Sequence, residues 1–235
     1  MENLFYQPEI INGIHYLNEV ESKHCQKVLR KKSGDSILVT DGLGRIYNSI
    51  ITKSTATQIH FSIQLTKEVQ KKDYSIHLAI SPTKNQDRIE WMVEKCVELG
   101  IDKITLLNCM NTEKKGFNIS RLEKIAISAM KQSQRAWLPK ISPLTPVREF
   151  ISNTPLNVLR YIAYVDLSNP DYLLNVAIPG NQYVILIGPE GDFSEAELQH
   201  AIKYNFLKVS LGDSRLRTET AGLAACHILN LVNQS

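Results

Sequence analysis

The stretch Tyr183–Cys226 reads YVILIGPEGDFSEAELQHAIKYNFLKVSLGDSRLRTETAGLAAC. Its apolar run Tyr183–Ile187 is short, continuous and β-branched at Val184, Ile185 and Ile187, the pattern of a strand buried on both faces. Gly188-Pro189-Glu190-Gly191 breaks that strand. Ser194 with Glu197 three residues on is a capping box, so a helix is expected to start at Ser194. A second apolar run, Leu207–Leu211, ends at Gly212, and the polar segment Asp213–Thr220 leads into an expected helix Ala221–Val232. Two strand–loop–helix units thus stand back to back. In open α/β sheets ligands bind beyond the carboxyl ends of strands, where these two loops lie. Their glycines permit close backbone approach, and Glu190, Arg215, Arg217 and Glu219 add charge.

Working outward, residues 73–182 continue the alternation. Ser75–Ile80 reads as a strand. Ile89, Met92, Val93, Cys96 and Val97 follow helical spacing, and Gly100 closes that helix. Ile104–Leu107 reads as a strand, and Leu122, Ile125, Ala126, Ala129 and Met130 as a helix face. Pro139 and Pro143 mark an expected loop, Val147–Ser152 a helical turn, and Tyr161–Val165 a strand. Residues 169–179 are ambiguous, with Pro170 a possible first-turn proline. This order predicts an α/β domain over 73–235 with a mostly parallel sheet and helices on both faces.

Residues 1–72 have a different texture, that of a small β-rich domain. Glu19–Leu29 reads as a short helix with Val20, Val28 and Leu29 as its apolar side and Lys23, His24, Lys27 and Arg30 outside. Ile37–Thr40 and Ile46–Ile51 flank the hairpin signal Asp41-Gly42-Leu43-Gly44. Ile59, Phe61, Ile63 and Leu65 alternate with polar residues, and Lys67–Asp73 has the composition of a linker. Residues 1–72 hold 10 Lys+Arg against 7 Asp+Glu, whereas 73–235 hold 17 against 17. The cationic excess therefore lies in the first third. The cluster Lys23, Lys27, Arg30, Lys31 and Lys32 fits either a polyanion-facing rim or a solvated helix end.

Several function classes are excluded. No apolar run is long enough to span a bilayer, and MENLFYQPEI lacks the basic start of a signal peptide, so a cytoplasmic location is expected. Cys25, Cys96, Cys109 and Cys226 show no metal-ligand spacing, which fits free thiols in a reducing compartment and no bound metal. No glycine-rich dinucleotide or P-loop motif occurs, and no GxSxG or HExxH.

Leu186–Glu197, LIGPEGDFSEAE, together with Leu211–Ala221, LGDSRLRTETA, resembles the RsmE family of 16S rRNA uridine-N3 methyltransferases, which belong to the SPOUT class. Lys84–Gly100, KNQDRIEWMVEKCVELG, is similar to the family's first helix, and Lys131–Pro139, KQSQRAWLP, to its Gln-Ser-x-Arg…Pro segment. His24, Val28-Leu29-Arg30, Gly34-Asp35 and Asp41-Gly42 resemble its PUA-like RNA-binding domain. The likeness spans nearly the whole chain. Three positions depart from the family's pattern. Asp192 stands where many members have glycine, Arg215 is out of register while Arg217 matches, and Gln134 replaces a glycine.

The resemblance implies a PUA-like β-barrel domain over 1–72 and a trefoil-knotted SPOUT domain over 73–235. It implies S-adenosyl-L-methionine as cofactor, 16S rRNA or the 30S subunit as partner, and a homodimer with sites at the interface. The cofactor is then expected at Leu186, Ile187, Gly188, Pro189, Glu190, Gly191, Leu211, Gly212, Leu216, Arg217 and Thr218. RNA is expected at Lys23, Lys27, Arg30, Lys31, Lys84 and Arg135. Methylation at N3 of uridine needs a base, or a cation that stabilises the developing uridinate. Arg217 suits the second role because guanidinium is a permanently charged planar fork; binding phosphate or pairing with Glu219 are its alternatives. Glu190 and Glu219 are the candidate bases, each equally able to orient an arginine. A non-catalytic RNA-binding protein and a ribose 2′-O-methyltransferase are the competing readings.

Overall fold

The structure, a computed structural model, describes residues 3–55, 57–113, 116–165 and 171–234. It comprises two compact units, Met1–Lys71 with Ile127–Leu138, and Lys72–Ala126 with Pro139–Ser235. A linear division at 72/73 omits the return of 127–138 to the first unit. That segment docks by backbone contacts that carry no periodic signal. Gly44 N–H donates to Ala136 O at 2.9 Å, Leu138 N–H to Gly42 O at 2.9 Å, and the Trp137 indole to Val69 O at 3.0 Å.

In the first unit, β1 (Leu4–Tyr6), β2 (Ser36–Thr40), β3 (Arg45–Ser54) and β4 (Ile59–Glu68) form one sheet in that order. β1 runs parallel to β2; the other pairs are antiparallel. The β2–β3 hairpin forms where Asp41-Gly42-Leu43-Gly44 predicts it. Asp41 Oδ1 accepts from Leu43 N–H at 2.7 Å, and Gly42 and Gly44 adopt φ of 74° and 99°. The expected helix Glu19–Leu29 is instead α1 (Glu19–Lys23) followed by a π-turn, His24–Val28. Its apolar side is also not where spacing puts it. Val20 and Val28 face solvent, while Glu21, Ser22 and Cys25 are buried. Polar bonding decides this: Ser22 Oγ donates to Leu17 O and accepts from Ile59 N–H, both at 3.0 Å, and Glu21 pairs with Lys131. In β4 only Ile59 and Phe61 are buried, and Leu65 is exposed.

The second unit holds a six-stranded, all-parallel sheet in the order β10-β8-β9-β5-β6-β7. Along the chain come β5 (Ser75–Ile80), α2 (Gln86–Leu99), β6 (Lys103–Asn108), α3 (Ile119–Gln132, of which residues from Ile127 on belong to the first unit), β7 (Lys140–Pro146) and α4 (Val147–Asn153). Then follow β8 (Leu159–Ala163), α5 (Leu173–Val176), β9 (Gln182–Ile187), α6 (Glu195–Lys203), β10 (Leu207–Val209) and α7 (Thr218–Val232). Both faces of the sheet are covered, as the continuous apolar strands require. Alternation on β5 shows the layers. Leu78 and Ile80 lie under α7, close to Gly222, with Met92 of α2 beside them, whereas Ala79 points into the opposite core with Leu198 and Ala201 of α6 and Ile151 of α4.

Two elements depart from the pattern-based expectation. Pro139–Pro146 is not a loop: β7 forms there, because it is an edge strand, where a proline needs no ladder donor, and its register shifts opposite Thr105/Leu107. α7 begins at Thr218 rather than Ala221. Arg217 is its extended N-cap (φ −70°, ψ 154°), and the Arg217 carbonyl accepts from Ala221 N–H at 2.7 Å. A polar first turn with Glu219 favours the positive end of the helix dipole, so low hydrophobicity there does not mean loop. Pro170 lies outside the described residues.

The capping box at Ser194 reaches further than its own helix. Glu197 Oε2 accepts from Ser194 N–H and Ser194 Oγ, both at 2.8 Å, while Oε1 accepts from Met110 N–H at 2.8 Å in the loop after β6. One buried carboxylate therefore ties two loops at the carboxyl edge of the sheet. Glu197→Ala should lower the free energy of unfolding by about 1–3 kcal/mol, since it removes the buried charged acceptor of three part-buried hydrogen bonds. Urea titration should show a lower midpoint at unchanged slope. In the first unit, a Cβ on Gly44 would stand 2.3 Å from Trp137 Cζ2, whereas Gly34, also at positive φ (+92°), has open space. Gly44→Ala should cost about 1–3 kcal/mol more than Gly34→Ala, because only the former adds steric overlap to the shared backbone strain. Melting temperatures of the two variants check this.

Candidate functional site

Because β8 lies between β9 and β10, the loops after β9 and β10 flank one strand end. Together with residues 163–165 and Tyr172 they enclose a cavity of about 830 Å³. The first loop is held tightly. A Cβ on Gly188 would meet Asp192 Oδ1 at 3.1 Å and the Phe193 ring at 3.2 Å, so glycine lets the loop fold onto itself. Asp192 N–H donates to Pro189 O at 2.9 Å, and Asp192 itself takes φ 61°, in the left-handed region. Asn111 Nδ2 reaches across to Gly191 O and Asp192 O, both at 3.1 Å.

The second loop is anchored to segment 171–173. Ser210 N–H donates to Asp171 O at 2.8 Å, Leu173 N–H donates to Ser210 O at 2.9 Å, and Tyr172 OH donates to Asp213. Ser210 Oγ donates to Gly212 O at 3.0 Å, where Gly212 (φ +139°) carries open space in place of a side chain. Arg215 bridges the two loops, its Nη2 lying 3.5 Å from Glu190 O. Arg217 follows on the cavity wall at the start of α7.

Ile187, Gly188, Pro189 and Glu190 from the first loop line the cavity, and so do Leu211, Gly212, Leu216, Arg217 and Thr218 from the second. Leu186 does not; it is buried in the core below. Gly191 is off the wall, its carbonyl held by Asn111. Glu219 is a further correction. Its carboxylate faces α2, where it pairs with Arg88 at 3.6 Å, and its Oε2 is buried with no partner among the described residues. The Arg217–Glu219 pair, the alternative to an electrostatic role for Arg217, is not formed; Glu219 pairs with Arg88 instead. Two residues along a helix turn the side chain to nearly the opposite face, so Arg217 and Glu219 serve different surroundings. Asp192 and Asp213 come to the site with the two loops that the sequence marks, whereas Tyr172 and Asn111 carry no local signal and reach it only through the crossing of separate segments.

The basic candidates divide by unit. In the first, Lys23, Lys27 and Arg30 are exposed; Lys23 pairs with Glu19 at 2.5 Å, and Lys31 Nζ donates to Ser36 O at 3.1 Å. Arg30 takes φ 55°, which ends the π-turn. Arg135 is half-buried just after Gln134, whose φ of 53° lies in the left-handed region that glycine favours. In the second unit Lys84 pairs with Glu113 at 3.4 Å, an exposed contact that contributes little to stability. Among the described residues no cluster of three or more His, Cys, Asp or Glu forms a metal site.

A family model described as an RNA methyltransferase domain matches residues 70–230, and one described as an RNA methyltransferase PUA domain matches residues 17–64. The chain is 32% identical over 224 residues to ribosomal RNA small subunit methyltransferase E of Buchnera aphidicola (subspecies Acyrthosiphon pisum), covering 92% of this chain and 87% of that one. A probable rRNA-methyltransferase from Porphyromonas gingivalis superposes with a TM-score of 0.94 at 40% identity, covering 99% of this chain and 98% of that one. The Neisseria gonorrhoeae ribosomal RNA small subunit methyltransferase E, solved bound to S-adenosyl methionine, gives a TM-score of 0.89 at 27% identity with the same coverage. With an all-parallel α/β domain preceded by a PUA-like one, and its two loops meeting at a single cavity, the chain belongs to the RsmE family of RNA methyltransferases and has their SPOUT-type fold.

Proposed function

We propose that this chain transfers a methyl group from S-adenosylmethionine to N3 of a uridine in 16S ribosomal RNA, acting in the cytoplasm as a homodimer. The observation that carries the reading is the single cavity made by the GPEG and LRTET loops, in a chain whose relative of the same fold is solved with that donor bound. The cavity fits such a ligand. Its volume lies in the range of small-molecule sites. Ile187, Leu211 and Leu216 offer apolar surface, and glycine backbone at 188 and 212 allows close approach. When bound, the donor supplies an electrophilic methyl group on a sulfonium. Little covalent chemistry then falls to the protein, whose work is orientation and charge stabilisation.

Arg217 suits the second task. It lines the cavity, and Glu219 pairs with Arg88 rather than with it, which supports a role for its guanidinium toward the charge that develops on uracil O2 and O4 as N3 loses its proton. Glu190 is the remaining candidate base, since it lines the same cavity. The base must be unstacked to reach the donor, so single-stranded or splayed RNA is the expected substrate form. Lys23, Lys27, Arg30 and Lys31 provide phosphate contacts. In support of a homodimer, α2 and α7 pack side by side and leave Trp91 and Leu231 partly exposed; light scattering of the purified protein tests it. Mass spectrometry of rRNA nucleosides, with and without the enzyme, tests the reaction: absence of 3-methyluridine from the treated RNA refutes it.

Arg217→Ala should leave donor affinity nearly unchanged and lower single-turnover methyl transfer by about 10²–10³, the scale for losing one preorganised charge-stabilising donor. Raising the pH should partly rescue the variant, because more uridinate then forms unaided. Arg217→Lys should recover little, since an ammonium lacks the planar fork. Weakened donor binding with a pH-independent defect would instead make Arg217 a structural residue. Reversing Lys27, Arg30 and Lys31 to Glu should leave donor affinity intact and flatten the slope of log K for RNA against log salt, because fewer counterions are released. An unchanged slope would leave these residues a solvated rim.

A further inference from the structure

Three carboxylates line the cavity, and they differ in environment. Glu190 is exposed, and Asp213 is exposed and bonded to Tyr172. Asp192 alone is half-buried. It occupies a position whose backbone, at φ 61°, suits glycine better than any L residue with a Cβ. Its side chain is nonetheless held in place. Phe193 N–H donates to Oδ1 at 2.8 Å, the Val165 backbone donates to the carboxylate as well, and the Arg215 guanidinium lies close enough to favour its charged form. Burial is the largest influence and leaves the carboxyl above its ordinary range, while these three groups offset part of that rise and favour the charged form. The segments after β8, β9 and β10 thus converge on one carboxylate at the cavity wall.

We propose that Asp192 is a specificity-determining residue of the donor site: its carboxylate makes the cavity prefer a ligand bearing a positive sulfonium over the neutral thioether left after methyl transfer. The inference rests on the reading of S-adenosylmethionine as donor given above. Donor and product differ in charge only at sulfur, so a fixed negative charge in the wall acts on one and hardly on the other. Contact with sulfur is not required. At an effective dielectric of about 20, unit charges about 8 Å apart interact strongly enough to move an equilibrium more than tenfold. Arg215 and Arg217 on the same wall oppose this attraction and reduce it. The consequence for turnover is directional: the charged donor is retained, and the binding energy supplied by Asp192 is lost once the methyl group has left, which favours release of the product.

The test is calorimetric titration of S-adenosylmethionine and S-adenosylhomocysteine into the wild-type protein, Asp192→Asn and Asp192→Gly. Asn keeps the shape and the acceptor for Phe193 N–H, whereas Gly relieves the backbone as well. In both variants the ratio of the thioether's Kd to the sulfonium's Kd should fall about three- to tenfold below wild type, which is about 0.6–1.4 kcal/mol at 1.36 kcal/mol per tenfold. The thioether's own Kd should stay within about twofold in Asp192→Asn, because no charge is present on it to be attracted. Equal weakening of both ligands would make Asp192 a structural support of the loop and overturn the inference. An unchanged ratio would overturn it too. Both of those outcomes leave the donor reading standing, since the wild-type protein still binds S-adenosylmethionine; failure of the wild-type protein to bind either ligand would remove both.

Discussion

Everything at the site depends on β8 lying between β9 and β10. The chain leaves β8, crosses to β9, and then passes back over β8 to form β10 on its far side. Two loops 20 residues apart in sequence thereby become the two walls of one cavity. Parallel strands end on the same edge, so their following loops project the same way, and the strand between them sets the width of the gap. The hydrogen bonds from Ser210 N–H to Asp171 O and from Leu173 N–H to Ser210 O lock this crossing before α7 turns back over the sheet.

The loops themselves are held by a small number of polar side chains from other elements. Glu197 reaches Met110, Asn111 reaches the Gly191 and Asp192 carbonyls, and Arg215 reaches the Glu190 carbonyl. Each gives a backbone group of one loop a fixed partner on another segment, which restricts the loop's conformations although most of these bonds are exposed. Such bracing is what a methyl-transfer site needs, because orientation is the larger part of its task. The hydroxyl and thiol cluster of Ser81, Thr112 and Cys109 beneath the loop serves the same end. Ser81 Oγ and Thr112 Oγ1 lie 2.8 Å apart, and burial pushes the Cys109 thiol up to about 12, so it stays protonated and inert.

The separation of Arg217 from Glu219 shows how a helix start sorts functions. Arg217 is the last extended residue and lies on the cavity wall. Glu219 is already on the helix and turns toward Arg88 of α2. The sequence LRTET puts these charges two residues apart and suggests a pair. The backbone at the N-cap makes that pair geometrically unavailable and leaves the guanidinium to the cavity.

Much was legible in the residues alone. Periodicity located β5, α2, β6 and β9, because continuous β-branched runs and 3.6-residue spacing report burial directly, and the Ser194/Glu197 capping box located the start of α6. The GPEG and LRTETA pair identified both walls of the cavity and the family. Three features were illegible. β7 was hidden by prolines that only an edge strand accepts, the buried face of the helix at Glu19 by polar residues whose partners lie on other elements, and the first turn of α7 by its polar composition. The sequence by itself determined the alternation of strands and helices apart from β7 and α5, the two binding loops and their chemistry, since these depend on neighbours within a few residues. Only the tertiary structure decided that 127–138 returns to the first unit, that Asn111 and Tyr172 brace the site, that Glu219 turns away from it, and that Asp192 is its half-buried charge. Those outcomes rest on hydrogen bonds and packing between segments far apart in the chain, which no local pattern encodes.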